Sequence, residues 1–271
     1  MATGIRNPEA SPKRPKSERS HRLTVSYLGT GFSGLQIQPG KRTVQGELEK
    51  ALQQIWGYRI SAQPSGRTDT GVHALAQIVS FDAPPKYSSS VLIRALNHNL
   101  PPDVRISNAR LMPRPFHARF DAKGKTYEYH VFNHPVADPF LLDRALHMPR
   151  PLDIPAMRKA ARLLVGRHDF ASFTSNPGYE RETTVRTIRR LSIIPRGPLL
   201  VFTVSADGFL YRMVRNIMGA LLKVGRGRLD HAGFKQAFNA RSRSAAPETA
   251  PAHGLYLKRV QYAKPPRRKK K

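Results

Sequence analysis

A single acidic side chain inside a turn of small residues is the most suggestive chemical feature of the chain. Residues 65–74 read Ser-Gly-Arg-Thr-Asp-Thr-Gly-Val-His-Ala and place Asp69 two positions after Arg67. The two glycines can adopt positive φ and let a ligand approach the backbone closely, which is typical of a shaped loop. An isolated Arg-Thr-Asp is more often a turn in which the aspartate caps the backbone or pairs with the arginine. In a functional loop, the carboxylate would serve as a nucleophile or as a proton acceptor.

The composition indicates a polyanionic partner. The 271 residues include 46 lysines and arginines against 18 aspartates and glutamates, a formal net charge of +28. Only part of this excess lies at the ends, where residues 1–22 hold six basic and two acidic side chains and residues 264–271 hold six basic ones. A folded body with the remaining excess repels itself unless a polyanion binds, and nucleic acid is the usual one. A membrane is disfavoured, because we find no long uncharged apolar run and no basic helix with a lipid-like face.

Several kinds of chemistry are excluded by what the sequence lacks. Cysteine is absent, which rules out disulfides, thiolate nucleophiles and cysteine-ligated zinc and fits a reducing cytoplasm. The ten histidines are scattered without metal-binding spacing, so we expect no metal. Phosphate-binding Walker loops, dinucleotide-binding glycine motifs and serine-hydrolase elbows are also missing from the sequence.

Hydrophobic periodicity predicts an α+β fold with largely antiparallel sheets. Strands are expected at 22–28, 76–81, 104–111, 126–132, 185–194, 199–206 and 255–262, and helices at 44–56, 89–97, 154–165, 211–224 and 231–240. A Pro-rich stretch beginning at residue 147 is the best candidate boundary, and it divides the body into 22–146 and 147–263. Residues 1–21 and 264–271 are expected to be disordered basic tails.

Two strand-like segments supply further candidate side chains. The strand at 126–132 places Tyr127 and Tyr129 on one face, where an aromatic ring either packs in the core or stacks on a nucleic-acid base. The alternating Phe-His-Ala-Arg-Phe segment can point His117 and Arg119 in the same direction, which is weak evidence by itself.

The helix at 211–224 carries an apolar stripe and a second face with Arg212, Arg215 and Gly219. A solvated basic face is the ordinary interpretation of this pattern. The functional interpretation has an arginine reaching a carboxylate or a phosphate, with the glycine permitting close approach.

Taken in order, the motifs of the chain resemble those of the tRNA pseudouridine synthase A family. The resemblance runs from about Arg22 to Tyr262 and is far more specific than any single motif. Its markers are Gly29-Thr30-x-Phe32-x-Gly34-x-Gln36-x-Gln38, Thr43-Val44-Gln45-x-x-Leu48-Glu49, Gly66-Arg67-Thr68-Asp69-x-Gly71-Val72-His73-Ala74, Phe116-His117-Ala118-Arg119-Phe120, Lys125-x-Tyr127-x-Tyr129, Met213-Val214-Arg215-Asn216-Ile217 and Gly254-Leu255-Tyr256-Leu257.

This resemblance implies a pseudouridine synthase fold of two ferredoxin-like-related subdomains, active as a homodimer in the cytoplasm. The implied reaction isomerises uridine to pseudouridine at positions 38, 39 and 40 in the anticodon stem-loop of tRNA, without cofactor or metal. Asp69 falls on the family's catalytic aspartate, which acts on the ribosyl C1′ of a flipped-out uridine. Whether it acts as nucleophile or as base toward a glycal intermediate stays open.

The resemblance also assigns supporting residues. Tyr127 matches the family's substrate-binding tyrosine and would stack on the uracil, and Arg215 matches an active-site arginine that would favour the ionised catalytic carboxylate. Arg67 would contact the extruded nucleotide or occupy the space it leaves. Val131 or Leu255 could line an apolar pocket around the base.

Two positions depart from the pattern of many relatives. Leu28 replaces the aspartate of Tyr-Asp-Gly-Thr, and Leu35 replaces the tryptophan of Gly-Trp-Gln. These changes leave the catalytic loop intact but bear on how the early loop contacts RNA. Two alternatives stay open: a non-catalytic RNA-binding or ribosome-associated protein, and a pseudouridine synthase acting on another RNA.

Overall fold

The computed structural model describes residues 18–113, 115–176 and 183–263. Its strands are β1 (Arg19–Tyr27), β2 (Gln63–Pro64), β3 (His73–Ala83), β4 (Val104–Leu111), β5 (Ala122–Asn133), β6 (Leu146–Met148), β7 (Gly166–Asp169), β8 (Val185–Arg196), β9 (Leu199–Ala206) and β10 (Leu255–Tyr262). Its α-helices are α1 (Val44–Trp56), α2 (Ser89–Asn99), α3 (Ile154–Arg162), α4 (Met213–Gly225) and α5 (His231–Asn239).

All of these strands join in one sheet, in the order β4-β1-β3-β10-β5-β9-β8-β7, with β2 beside β3 and β6 beside β5. The pairs β10–β3 and β5–β6 are parallel, and the other pairs are antiparallel. The predicted α+β class with largely antiparallel pairing is therefore confirmed. A division of the body near residue 147 stays a prediction.

The first strand begins three residues earlier than its pattern predicts. His21 is buried and stacks on Phe81 of β3 with ring centroids 4.8 Å apart, and the buried Ser20 donates to Asp82 at 2.7 Å. Because these buried residues are polar, the start of the strand lacks the alternation of apolar and polar residues on which the prediction is based. Residues 19–21 of the expected N-terminal tail therefore belong to β1. The rest of that tail up to residue 17, and the expected tail at 264–271, lie outside the described residues.

Helix α1 has the predicted bounds because local signals fix both ends. The Thr43 side chain accepts a hydrogen bond from the backbone N–H of Gly46, and Gly57 ends the helix in the left-handed conformation at φ 79°. Leu48 and Leu52 on its inner face are almost fully buried.

Helix α4 is buried along most of its length and supports the site. A β-carbon on Gly219 would overlap the carbonyl oxygen of Glu248, so the segment leading into β10 lies directly against the helix. No helix within the described residues has the length and apolar character needed to cross a membrane.

Candidate active site

The loop between β2 and β3 presents Asp69 and is held by buried hydrogen bonds. Ser65 donates its hydroxyl to the Gln77 carbonyl oxygen at 2.6 Å, and the Gln77 amide donates to the Gly66 carbonyl at 3.0 Å. On the other side of the loop, Tyr27 and Thr68 share a hydrogen bond of 2.7 Å between their hydroxyl groups. These contacts tie the loop to two strands and fix the backbone on which the carboxylate is carried.

The early loop braces the same turn from a third direction. The backbone N–H of Leu35 donates to the Thr68 carbonyl at 3.1 Å, and its side chain is buried. Gly34 adopts φ 89°, and a β-carbon there would lie 3.0 Å from the same carbonyl oxygen. Leu35 therefore takes part in supporting the loop, whereas Leu28 is 40% exposed and its N–H bonds to Asp103.

The carboxylate of Asp69 is paired with an arginine from the distant helix α4. Arg215 places Nη1 2.8 Å from Asp69 Oδ2, across 146 positions of sequence. Its Nε donates to the Ala250 carbonyl at 2.8 Å, so the guanidinium is held at both ends. Because the Arg215 side chain is only 14% exposed, little water competes for this pair. The ordinary interpretation, a local pair between Asp69 and Arg67, is not found among the described ion pairs.

A second arginine stands beside the same oxygen. Arg212 Nε lies 3.9 Å from Asp69 Oδ2, and its guanidinium carbon lies 5.0 Å from the Tyr211 ring centroid. Its backbone is left-handed, with φ 57° and ψ 10°, immediately before α4. Sequence reasoning placed Arg212 on the basic face of the helix but gave no sign of this conformation.

An aromatic wall stands near the carboxylate. Tyr127 is buried on β5 and meets the Phe209 ring edge to face, with centroids 5.0 Å apart. Burial raises the pKa of the Tyr127 hydroxyl, and the nearby Tyr27 and Asp69 raise that pKa further. The phenol therefore keeps its proton at neutral pH and can donate a hydrogen bond.

An open cleft of about 1270 Å³ brings these groups together. Its lining includes all four predicted site residues, Arg67, Asp69, Tyr127 and Arg215, together with Leu255. Val131, by contrast, is completely buried in the core and is not part of this lining. The expectation for Val131 is not met because it lies four positions beyond Tyr127 along the strand, roughly 13 Å away.

The rest of the lining adds positive charge and an exposed ring. Arg119, Lys125 and Arg212 join Arg67 and Arg215 in the cleft, and Phe120 lies at its edge. Such a concentration of cations around one carboxylate suits a polyanionic ligand that brings its own negative charge. Among the described residues, no cluster of histidine and acidic side chains could hold a metal ion.

Lys125 is the most perturbed cation of the cleft. Burial, together with the nearby Arg119, lowers its pKa to about 8. A β-carbon on Gly66 would overlap the Lys125 ammonium, so the lysine side chain lies directly over the turn that carries Asp69. The sequence motif contained Lys125, but its place over the Asp69 loop depends on pairing between distant strands.

Comparisons with known proteins cover both halves of the chain. A family model described as tRNA pseudouridine synthase matches residues 23–121 and 160–263. A protein named tRNA pseudouridine synthase A from Methylacidiphilum infernorum (isolate V4) is 51% identical over 242 residues, which cover 89% of this chain and 95% of that protein. Proteins of the same name from Geobacillus sp. (strain WCH70) and Thermotoga neapolitana are 46% and 43% identical, covering 89% and 88% of this chain and 97% of each relative.

Proposed function

Because the chain belongs to the tRNA pseudouridine synthase family, we propose that Asp69 is the carboxylate with which it isomerises uridine to pseudouridine in tRNA. The motif-based resemblance is confirmed by this membership, and the chain is an isomerase. The observation that carries the role of Asp69 is its ion pair with Arg215 in a basic cleft, beside the buried Tyr127.

The reaction breaks two bonds and forms two. The bond between ribosyl C1′ and uracil N1 breaks, the uracil turns, and C1′ bonds to C5. The C5 hydrogen then leaves to solvent as a proton, and N1 takes up a proton. The carboxylate of Asp69 can attack C1′ and form a transient ester, which C5 then displaces, or remove the C2′ proton to give a glycal and return that proton to C2′ as C1′ bonds to C5. Both routes use the ionised carboxylate, which the Arg215 guanidinium holds in place.

The target base must leave its stack before C1′ can be reached, at a cost of a few kcal/mol. We propose that the extruded uracil lies against Tyr127 and Leu255, and that Arg67 contacts the flipped nucleotide or fills the space it leaves. The buried, protonated Tyr127 hydroxyl can donate a hydrogen bond to a uracil carbonyl. The proposed targets are positions 38, 39 and 40 of the anticodon stem-loop, as the motif resemblance implies.

We further propose that the enzyme works in the cytoplasm as a homodimer. The absence of cysteine supports a reducing compartment. The dimer follows from the motif resemblance, and light scattering of the purified protein tests it. A monomeric mass at working concentrations would contradict it.

Asp69→Asn tests the catalytic role directly. With tRNA carrying tritium at uridine C5, we expect wild-type protein to release tritium and Asp69→Asn to release none. The tRNA Kd should stay within about threefold, because a carboxylate does not drive binding to a polyanion. Asp138→Asn, which alters a half-buried aspartate outside the cleft lining and keeps an oxygen to accept the Phe140 N–H, is the matched control and should keep full activity.

The same assay separates the alternatives. No tritium release by the wild-type protein would favour a non-catalytic RNA-binding role. Release of tritium from another RNA but not from tRNA would favour a pseudouridine synthase that acts on that other RNA. Mapping pseudouridine in tRNA after deletion of the gene identifies which of the three positions depends on this enzyme.

A further inference from the structure

An exposed phenyl ring stands at the edge of the cleft. Phe120 is 72% exposed although it is apolar, and it belongs to the cleft lining. It lies in the Phe-His-Ala-Arg-Phe segment that the catalytic proposal leaves without a role. A single exposed ring is ordinary on a protein surface, but one that lines a cleft with five arginine and lysine side chains is placed to meet the ligand of that cleft.

The turn that carries the ring is built to hold it in place. His117 Nδ1 accepts hydrogen bonds from the backbone N–H groups of Arg119 at 3.1 Å and Phe120 at 3.3 Å. The N–H of His117 donates to Asp121 Oδ2 at 3.1 Å, and the N–H of Asp121 donates back to the His117 carbonyl at 3.1 Å. Four such bonds fix the backbone that carries the ring, so little backbone freedom is left to lose on binding.

The immediate surroundings of the ring suit a nucleic-acid base. The His117 ring lies 4.3 Å from the Phe120 ring between centroids, and the Arg119 guanidinium carbon lies 5.6 Å from the same centroid. Planar groups flanked by cations are the common surface for stacking unpaired bases, with the cations meeting the phosphates. The target uracil itself is proposed to lie deeper, against Tyr127, so the ring at the edge is available for a different base.

We propose that Phe120 is a base-stacking residue that holds the RNA beside the flipped nucleotide, by contact with a base that stays outside the catalytic pocket. This proposal rests on the proposed function, because it takes RNA as the ligand of the cleft. The occupant is an unpaired or exposed base of the substrate RNA, recognised through its π-face without regard to sequence.

Substitutions that separate ring shape from apolar bulk test the proposal. Phe120→Ala and Phe120→Leu should each raise the Kd and KM for unmodified tRNA by about 5- to 100-fold, the range of one lost base stack. Phe120→Trp should stay within about threefold of wild type, because an indole ring stacks at least as well. Phe140→Ala removes a phenyl ring that is 83% exposed and outside the cleft lining, and it should change neither constant.

Three results would overturn the proposal. If Phe120→Leu binds tRNA as tightly as wild type, the ring acts only as apolar bulk. If Phe120→Ala leaves Kd and KM unchanged, the ring does not stack on RNA. If Phe120→Ala lowers the mass measured by light scattering, the ring lies between two copies of the chain instead. These failures leave the catalytic proposal intact, since that proposal fails only if Asp69→Asn still releases tritium or wild type does not.

Discussion

At the scale of the residue, Arg212 places a cation beside the Asp69 carboxylate and has an unfavourable backbone conformation. A left-handed conformation costs a non-glycine residue about 1–2 kcal/mol, so something other than local stability keeps arginine there. The proposed chemistry supplies the reason, because Arg212 Nε lies 3.9 Å from Asp69 Oδ2 and both side chains line the cleft.

Two substitutions at this position separate its conformation from its charge. Arg212→Gly and Arg212→Ala both remove the guanidinium and should lower tRNA turnover to the same extent. Glycine relieves the backbone strain, so Arg212→Gly should have a free energy of unfolding about 0.5–1 kcal/mol greater than Arg212→Ala. Urea denaturation measures the difference, and equal stability would mean that the left-handed backbone is not strained.

Lys125 predicts a proton uptake on binding. Its pKa is lowered to about 8 by burial, below the ordinary lysine value of 10.5. The unfolded state therefore binds more protons between about pH 8 and 10.5, and the free energy of unfolding gains from this group as pH rises through that window. RNA phosphates entering the cleft should favour the ammonium form and raise the pKa again.

Calorimetry checks this expectation. At about pH 8.5, tRNA binding should take up roughly three-quarters of a proton at Lys125, visible as a difference in binding enthalpy between buffers of different ionisation enthalpy. Lys125→Met should lose the proton uptake. Lys123 is an exposed lysine outside the cleft lining, and Lys123→Met should keep the uptake. An uptake that survives in Lys125→Met would assign the proton to another group.

At the scale of the element, α4 and the chain segment before β10 act as one support for Arg215. The Ala250 N–H donates to the Arg215 carbonyl at 3.1 Å, and the Ala250 carbonyl accepts from the Arg215 side chain. Gly219, one turn further along α4, lets this segment approach the helix. The sequence predicts that this glycine permits close approach, and the group that approaches is the backbone of the segment at Glu248.

Gly219→Ala should therefore damage the site from a distance. Alanine normally stabilises a helix by about 1 kcal/mol relative to glycine. Here the added methyl group overlaps the Glu248 carbonyl, so we expect a loss of about 1–3 kcal/mol in the free energy of unfolding. Displacement of Ala250 should also lower kcat, by about tenfold if the ion pair loses alignment. A stabilised, fully active variant would show that the segment can move without cost.

Local signals explain which elements the sequence predicts. Helix α1, strand β4 and strand β10 have their predicted bounds because caps, glycines and alternation lie within each segment. Helix α3 ends at Arg162, three residues before its predicted end, and β7 begins shortly after it. Strands of two to four residues, such as β2 and β7, are too short to show a period.

Contacts between segments that are distant in the chain cannot be predicted from local sequence patterns. The motif resemblance named Asp69 and Arg215, but the hydrogen bond between them and the anchor at Ala250 depend on how the whole sheet closes. For the same reason, the place of Lys125 over Gly66 and the strain at Arg212 appear only once the strands are assembled.

At the scale of the whole molecule, the continuous sheet predicts a single unfolding transition. Strand β10 is hydrogen-bonded to both β3 and β5, so neither half can lose it alone. Trp56, the sole tryptophan of the sequence, packs near Phe81 and reports on the first half. Because the chain has no cysteine, Lys235→Cys provides a unique labelling site on the exposed face of α5. The two probes should give the same urea midpoint, and separate midpoints would favour two independent domains.

The central position of β10 also has a consequence for biosynthesis. A ribosome makes this strand after every other described strand, although its place is in the middle of the sheet. Until it emerges, the neighbouring edges of β3 and β5 have unpaired backbone groups, the kind of surface that attracts foreign strands. The polypeptide is therefore most aggregation-prone before β10 pairs, and addition of this strand both closes the sheet and brings in the Ala250 carbonyl that holds Arg215.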